Sequence, residues 1–341
     1  SLVYLNYGTG ISEDGNYNKE LYGINTVQPQ GSDPTCIYVS EEEDPDYGGY
    51  YYMYTGGPGK CSEYQQEHIS FATAYCFRSR DLFQWEICGV KDGFSLIVDE
   101  EDWCQENLWA PAVIRNPADG KYYMYFSAGV PQNYGVEGIS SSDYDWDRLH
   151  LGVAVSDTPI GPFDVLYDTD SATGKRIPTI NFHTGCGTEY PWSAIDAAPF
   201  IDDDGTLYLY FNKHADEHYT ELNGIVGMKM KSMTIPDYST VTYLTQGDYA
   251  TCSSTPGNIE EVTEGEKFEF DELGLNEAPH MYKHNGVYYL TYSANGYTYA
   301  SYPVHQAISD APLGKFVKPG AAAGNPVCDG SLLGNVNGTG S

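Results

Sequence analysis

The sequence predicts an all-β fold and, within that class, a β-propeller. Two kinds of short segment recur along its 341 residues. The first kind places an acidic or aromatic residue before an apolar run, at residues 33–38, 109–114, 196–201 and 277–282. The second kind starts with glycine and continues with aromatic residues, at residues 49–54, 120–125, 205–210 and 286–291. Its glycines, at 49, 120, 205 and 286, lie 71, 85 and 81 residues apart, which is too regular for chance and too long for a helical solenoid.

Each pair of segments predicts a β-hairpin. The first segment leads into a turn, such as the one at Gly205 or at Asn285-Gly286, and a tyrosine-rich strand returns. Flat and β-branched side chains favour such strands because they pack well on a pleated surface. Repeats of this length have room for about four strands of 5 or 6 residues with their loops. That is the size of one propeller blade in a ring around a central channel, whereas a β-sandwich would not explain the spacing.

Three acidic residues open three of the four first segments. If that segment is the innermost strand of each blade, Asp33, Asp196 and Glu277 meet at one mouth of the channel. Carboxylates in one pocket repel each other and burial disfavours their charged forms, so one of them can stay protonated near neutral pH. Hydrolysis of a glycoside needs such a set, with one acid to protonate the leaving oxygen. A second carboxylate then activates water, which inverts the sugar, or attacks the sugar directly, which retains its configuration.

The composition excludes several partners. Lys and Arg number 17 against 48 Asp and Glu, for a formal net charge of −31, so nucleic acid and anionic membrane surfaces would be repelled. No apolar run approaches the roughly 20 residues of a membrane span. The repeats continue past residue 290 without a low-complexity linker, so we expect one domain over residues 1–341. The chain starts at Ser1 without a signal-like stretch, and we expect it to be processed or engineered to begin there.

The eight cysteines offer no metal-binding pattern. They form no Cys-x-x-Cys pair and no cluster with histidine at zinc-ligand spacing. We interpret most as buried apolar side chains and leave open whether some pair; they are Cys36, Cys61, Cys76, Cys88, Cys104, Cys186, Cys252 and Cys328. The acidic run at residues 41–46 is interpreted as a solvated loop.

An ordered set of motifs resembles glycoside hydrolase family 43 over about residues 30 to 340. The motifs are Asp33-Pro34, Leu108-Trp109-Ala110-Pro111, Ala194-Ile195-Asp196 with residues 200–205, Glu277-Ala278-Pro279 and residues 283–293. The resemblance implies a five-bladed propeller that hydrolyses arabinose- and xylose-containing plant polysaccharides with inversion. It implies that Asp33 is the general base that activates water and that Glu277 is the general acid. Asp196 would adjust the pKa and the orientation of its neighbour.

Three further residues are candidates for contact with the sugar. Trp109 takes the place of the acid in the second repeat, where its ring would be an apolar platform for a sugar. Trp192 is a second candidate, and either tryptophan would also suit the core. His280 lies three residues past Glu277, and strand alternation places it on the opposite face from that acid. Asp33 before proline would also suit a turn, but acids in three repeats favour a joint catalytic role.

The end of the chain departs from the family pattern. Residues 337–340 resemble the start of the family's Gly-x-Gly-His-x-Ser segment, but Ser341 follows and is the last residue. We therefore expect four blades and an incomplete fifth, with residues 1–30 near the closure of the ring, because an open ring would expose two sheet edges. In the family that segment carries a histidine often tied to a metal or water. The resemblance thus allows a structural Ca²⁺ in the channel, while the chemistry itself requires no cofactor.

Loops rather than blades decide the substrate. Residues 134–148 and 169–191 are rich in aromatic residues and glycine, and would wall one end of the channel into a pocket for a terminal sugar. We therefore expect an exo-acting α-L-arabinofuranosidase on plant polysaccharides or oligosaccharides. The β-D-xylosidase, galactofuranosidase and endo-arabinanase activities of the same family stay open. An endo-acting enzyme would need an open cleft across the channel mouth.

Two alternative functions come from outside this family. Fructan-acting propellers usually carry Arg-Asp-Pro and Glu-Cys pairs, and the chain has neither. A non-catalytic carbohydrate-binding propeller would have no need of three carboxylates. The oligomeric state is open, and a secreted or periplasmic location is preferred to a cytoplasmic one.

Overall fold

The structure is a computed structural model that describes residues 31–57, 73–131, 133–139, 149–182, 185, 193–214, 224–245, 275–294, 302–319 and 325–328. These residues form four consecutive antiparallel sheets, the blades of a β-propeller, which confirms the predicted fold class. Each blade is built in sequence order from its innermost strand outward. No helix in the described part of the chain has the length and hydrophobicity needed to cross a bilayer.

The first two blades contain ten strands. Blade 1 consists of β1 Ser32–Val39, β2 Tyr50–Gly57, β3 Thr73–Ser79 and β4 Glu86–Ile87. A short strand, β5 Leu96–Ile97, pairs in parallel with the outer part of the next blade. Blade 2 consists of β6 Glu106–Arg115, β7 Tyr122–Gly129, β8 His150–Ser156, β9 Phe163–Thr169 and β10 Arg176–Pro178.

The next two blades contain seven strands. Blade 3 consists of β11 Ser193–Ile201, β12 Leu207–His214, β13 Gly224–Lys229 and β14 Thr242–Tyr243, with a 3₁₀ helix at Tyr238–Thr240. Blade 4 consists of β15 Asn276–His284, β16 Val287–Ala294 and β17 Val304–Ser309. An isolated bridge between Ile308 and Val317 extends its outer edge.

The innermost strands surround a central channel. Strand β1 contacts β6, β6 contacts β11, and β11 contacts β15. Within the described residues no comparable contact joins β15 back to β1. Residues 1–30, expected near the closure of the ring, and residues 337–340, expected to belong to the incomplete fifth blade, lie outside the described residues.

A repeated tyrosine at the end of the second segment fastens each blade to the next. Its hydroxyl donates a hydrogen bond to a backbone carbonyl of the following blade: Tyr54 to Pro159 (2.6 Å), Tyr125 to Met233 (2.7 Å) and Tyr210 to Pro312 (2.9 Å). All three rings are fully buried, and a buried hydroxyl needs such a partner. We call these residues the interblade tyrosines. They explain physically why the second segment repeats.

Apolar side chains fill the space between consecutive blades. Separate buried clusters lie around Phe126 between blades 1 and 2, around Phe211 between blades 2 and 3, and around Leu290 between blades 3 and 4. The acidic run at residues 41–46 forms the turn between β1 and β2 and is mostly exposed, as expected.

The cysteines are less uniformly buried than the sequence suggested. Cys76 and Cys104 are buried, Cys88 and Cys328 are half-buried and Cys36 is exposed, and all five are free thiols. Cys61, Cys186 and Cys252 lie outside the described residues.

Candidate active site

A two-residue bulge interrupts the innermost strand of each described blade at the same depth. The ladder with the second strand skips residues 33–34 in β1, 110–111 in β6, 196–197 in β11 and 278–279 in β15. The first residue of each bulge has a left-handed backbone, with φ of 52° at Asp33, 48° at Ala110, 59° at Asp196 and 52° at Ala278. Aspartate tolerates this conformation better than most residues. Bulges and strained backbone of this kind are common at active sites.

The bulges correct the alignment of the four first segments. Asp33, Ala110, Asp196 and Ala278 are structurally equivalent, so Trp109 and Glu277 lie one position earlier. Glu277 is therefore not the counterpart of Asp33 and Asp196, as the sequence segments suggested, but the counterpart of Trp109. The error arose because the motifs were aligned on their first conspicuous residue, whereas the bulge begins one residue later in the two Ala-Pro segments.

The three acids nevertheless lie together. Asp33 and Asp196 line the channel cavity, which has a volume of about 550 Å³. Oδ2 of Asp196 accepts a hydrogen bond from the N–H of Ala278 (2.9 Å), and the N–H of Asp196 donates to Oγ of Ser127 (3.0 Å). The pKa of Asp196 is raised well above its ordinary value, first by burial and then by the negative charges of Glu277 and Asp33. The bond from Ala278 opposes this shift by stabilising the carboxylate.

Glu277 is the second acid with a strongly shifted pKa. Burial and the negative charge of Asp33 raise the pKa of Glu277 to about 7, although a hydrogen bond from the hydroxyl of Tyr302 to Oε1 opposes the rise. Glu277 therefore changes its charge near neutral pH, which is the range where a general acid works best.

Sequence reasoning missed Tyr302 and Ser127. Tyr302 lies just before β17, outside both repeated segments, and Ser127 is a small residue late in β7. Neither has a counterpart in the four motifs, so no pattern in the sequence singled them out.

The other predicted contact residues have different outcomes. His280 lines the same cavity as Asp33 and Asp196, because the bulge before it breaks the strand alternation that was expected to turn it away. Its side chain is exposed, although desolvation by the surrounding protein atoms lowers its pKa. Trp109 is half-buried and pairs with Ser127. Trp192 lies outside the described residues.

The two expected pocket loops are described only in part. Residues 140–148 of the first, and residues 183–184 and 186–191 of the second, lie outside the described residues. The expectation of a closed pocket for one terminal sugar therefore stays a prediction.

The described residues show no ligand set for a metal. Among them, no group of three or more His, Cys, Asp or Glu side chains is arranged to hold a metal ion. The calcium ion that the resemblance allowed in the channel stays a prediction.

The comparison with known families assigns the chain. The family model described as glycosyl hydrolases family 43 matches residues 25–326. The chain belongs to this family. It is thus a glycoside hydrolase of family 43 with a carbohydrate substrate.

Characterised family members resemble the chain over most of its length. It is 29% identical over 312 residues to a β-D-galactofuranosidase of Aspergillus niger, a match that covers 87% of the chain and 69% of that protein. It is 30% identical over 214 residues to a xylosidase/arabinosidase of Humicola insolens, covering 59% of the chain and 55% of that protein. The chain thus spans little more than half of the Humicola protein.

The fold is also that of solved family structures. The crystal structure of a thermostable family-43 glycoside hydrolase superposes with a TM-score of 0.56 at 25% sequence identity, covering 90% of this chain and 76% of that one. The similarity supports the propeller architecture of the four described blades.

Proposed function

We propose that the chain is an exo-acting, inverting glycoside hydrolase that releases terminal α-L-arabinofuranosyl residues from plant polysaccharides or oligosaccharides. The observation that carries the proposal is a set of three carboxyl groups that interact electrostatically, two of which, Asp33 and Asp196, line the central channel. Two of them, Asp196 and Glu277, have a raised pKa, and the negative charge of Asp33 contributes to both shifts. Such separation of protonation states supplies an acid and a base in one site.

Each acid has a role that follows from its surroundings. Glu277 has a pKa of about 7, so about half of the molecules carry its proton at neutral pH, ready for the leaving oxygen. Asp33 takes a proton from the attacking water as the water adds to the anomeric carbon and the glycosidic bond breaks. Asp196 binds the N–H of Ala278, the residue after Glu277, and so orients the strand that carries the acid.

The choice of sugar is supported by the relatives. One is a β-D-galactofuranosidase and another a xylosidase/arabinosidase, so two of the activities concern or include furanose sugars. α-L-Arabinofuranose and β-D-galactofuranose share the configuration of the ring and differ by one exocyclic hydroxymethyl group. A channel built for one is therefore closest in shape to the other. β-D-Galactofuranosidase activity is the second candidate, because that relative matches 87% of the chain.

The experiment measures hydrolysis of aryl α-L-arabinofuranoside, β-D-galactofuranoside and β-D-xyloside, with NMR detection of the anomer first released. We expect the highest kcat/KM on the arabinofuranoside and an inverted product. Glu277→Ala should lose turnover, whereas Glu86→Ala, which removes an exposed carboxylate in the outer strand of blade 1, should keep it. A retained anomeric configuration would contradict the assigned chemistry. Preference for another glycoside would contradict the assigned sugar only.

A further inference from the structure

Tyr302 contacts Glu277, the acid proposed above to protonate the leaving oxygen. Its ring is 2% exposed, and its hydroxyl donates a hydrogen bond to Oε1 of Glu277. A phenol held against a carboxyl group at a buried site stabilises the charged form of that group, since hydrogen bonds strengthen where water is excluded.

The strands of blade 4 fix where Tyr302 lies. Glu277 pairs with Ser293, and Ser293 pairs with Val304, so these three residues form one row across β15, β16 and β17. Tyr302 lies two residues before Val304, just before the start of β17. Pro303 follows it, and the Pro303 carbonyl accepts a hydrogen bond from the N–H of Ala294 (3.0 Å).

This anchoring lets the Tyr302 side chain span the sheet. Two strands are separated by about 9 to 10 Å when one strand lies between them. The long side chains of tyrosine and glutamate together cover that distance. The hydroxyl therefore reaches Glu277 across β16 from a backbone held in place by a proline and a ladder hydrogen bond.

We propose that Tyr302 is a positioning residue of the general acid, holding Oε1 of Glu277 so that Oε2 carries the proton to the departing sugar oxygen. The proposal rests on the role of Glu277 given above. An acid that donates its proton from Oε2 leaves a negative charge shared by both oxygens, and the hydrogen bond at Oε1 stabilises that charge as it develops. Tyr302 would therefore act in the transition state more than in substrate binding.

Other charged and titratable groups surround Glu277. Asp33 on β1 and Asp196 on β11 interact with it electrostatically. His280 lies three residues on along β15, and desolvation by the surrounding protein atoms lowers its pKa. Lys318, after β17, is buried and donates to Oδ1 of Asn276 (3.1 Å), the residue before Glu277. Tyr302 differs from all of these because it binds the reacting carboxyl group itself.

Tyr302→Phe tests the proposal, because it removes the hydroxyl and leaves the ring. Loss of a hydrogen bond to a charged group predicts a fall in kcat of about 10- to 100-fold, with little change in KM. The basic limb of the pH profile should move to higher pH, since the hydroxyl lowers the pKa of Glu277. The loss should also be greater for glycosides with a poor leaving group than for activated aryl glycosides, which need less protonation.

Tyr210→Phe is the matched control. Tyr210 is also a fully buried tyrosine that donates one hydrogen bond, but to the Pro312 carbonyl between blades. This variant should lose stability without any shift in the pH profile and without dependence on the leaving group. Equal effects of both variants on all three readouts would overturn the proposal, because Tyr302 would then be only a packing residue.

A second measurement needs no turnover. In protein labelled with ¹³C at glutamate carboxyl groups, the resonance of Glu277 is assigned as the one that disappears in Glu277→Gln, and it is then titrated in wild type and in Tyr302→Phe. A higher midpoint in Tyr302→Phe supports the contact even where none of the three glycosides is hydrolysed, which separates this proposal from the choice of sugar. The same titration midpoint of Glu277 in both proteins would contradict the proposal.

Discussion

Replacement of an interblade tyrosine should weaken the whole propeller without touching its channel. In Tyr54→Phe the ring and its packing stay, and only the hydroxyl that binds the Pro159 carbonyl at 2.6 Å is removed. The bond is buried, so the carbonyl loses a donor that water cannot easily replace and keeps only the Cys76 thiol, a weak donor at 3.7 Å. A poorly satisfied buried acceptor costs about 1 to 3 kcal/mol, and we expect the free energy of unfolding to fall by that amount. The bonds of Tyr125 and Tyr210 are only partly buried, so their Phe variants should each lose about 0.5 to 1.5 kcal/mol.

Urea unfolding followed by tyrosine and tryptophan fluorescence measures this loss. Tyr123→Phe is the control, because Tyr123 donates to Asp119 at an exposed turn of its own hairpin, and it should change stability by less than about 0.5 kcal/mol. The slope of unfolding free energy against urea should stay constant, which shows that the same surface unfolds. If Tyr54→Phe were as stable as the Tyr123 control, the interblade bonds would not explain the repeat.

Three further results are expected. Because the pKa of Glu277 is about 7 and a general acid works only when protonated, kcat/KM on a poor leaving group should fall as pH rises through about 7; a flat profile to pH 9 would contradict this. Asp196→Asn keeps an oxygen for the Ala278 N–H but removes the carboxyl group that interacts electrostatically with Glu277 and Asp33, so kcat should drop by about 100-fold or more while the melting temperature holds. Cys76 and Cys88 continue the register of β3 and β4 with sulfur atoms 3.4 Å apart, so oxidised glutathione should convert them to a disulfide, detected by peptide mapping as the loss of two thiols.

The sequence predicted the architecture because the repeat has a physical cause that recurs. Blades 1 to 3 carry an interblade tyrosine at the same place, five residues after the glycines at 49, 120 and 205, so the tyrosines share the period of the glycines. In the fourth repeat Thr291 stands at that place, and its hydroxyl donates to the His280 carbonyl within blade 4 instead.

The details of the site could not be predicted in the same way. Whether a residue lies at a bulge or one position before it depends on which two residues are left out of the pairing with the neighbouring strand. The side chains in the sequence do not indicate which two these are. The sequence therefore aligned Glu277 with Asp33, and it placed His280 on the wrong face. Tyr302 reaches the acid across an intervening strand, so only the three-dimensional register brings the two together.

The bulges show that the backbone geometry of the site does not depend on a reactive side chain. The innermost strands of the four described blades all have a left-handed backbone at the first bulge residue. This includes β6, where Ala110 has no reactive group. The geometry is thus a property of every described blade, and acids occupy two of its positions, the bulge residue and the residue before it. Blades 1 and 3 carry their acid at the bulge residue, and blade 4 carries Glu277 at the residue before it. In the proposed reaction the base and the acid act on opposite faces of the sugar ring, and acids at two different backbone positions suit that arrangement.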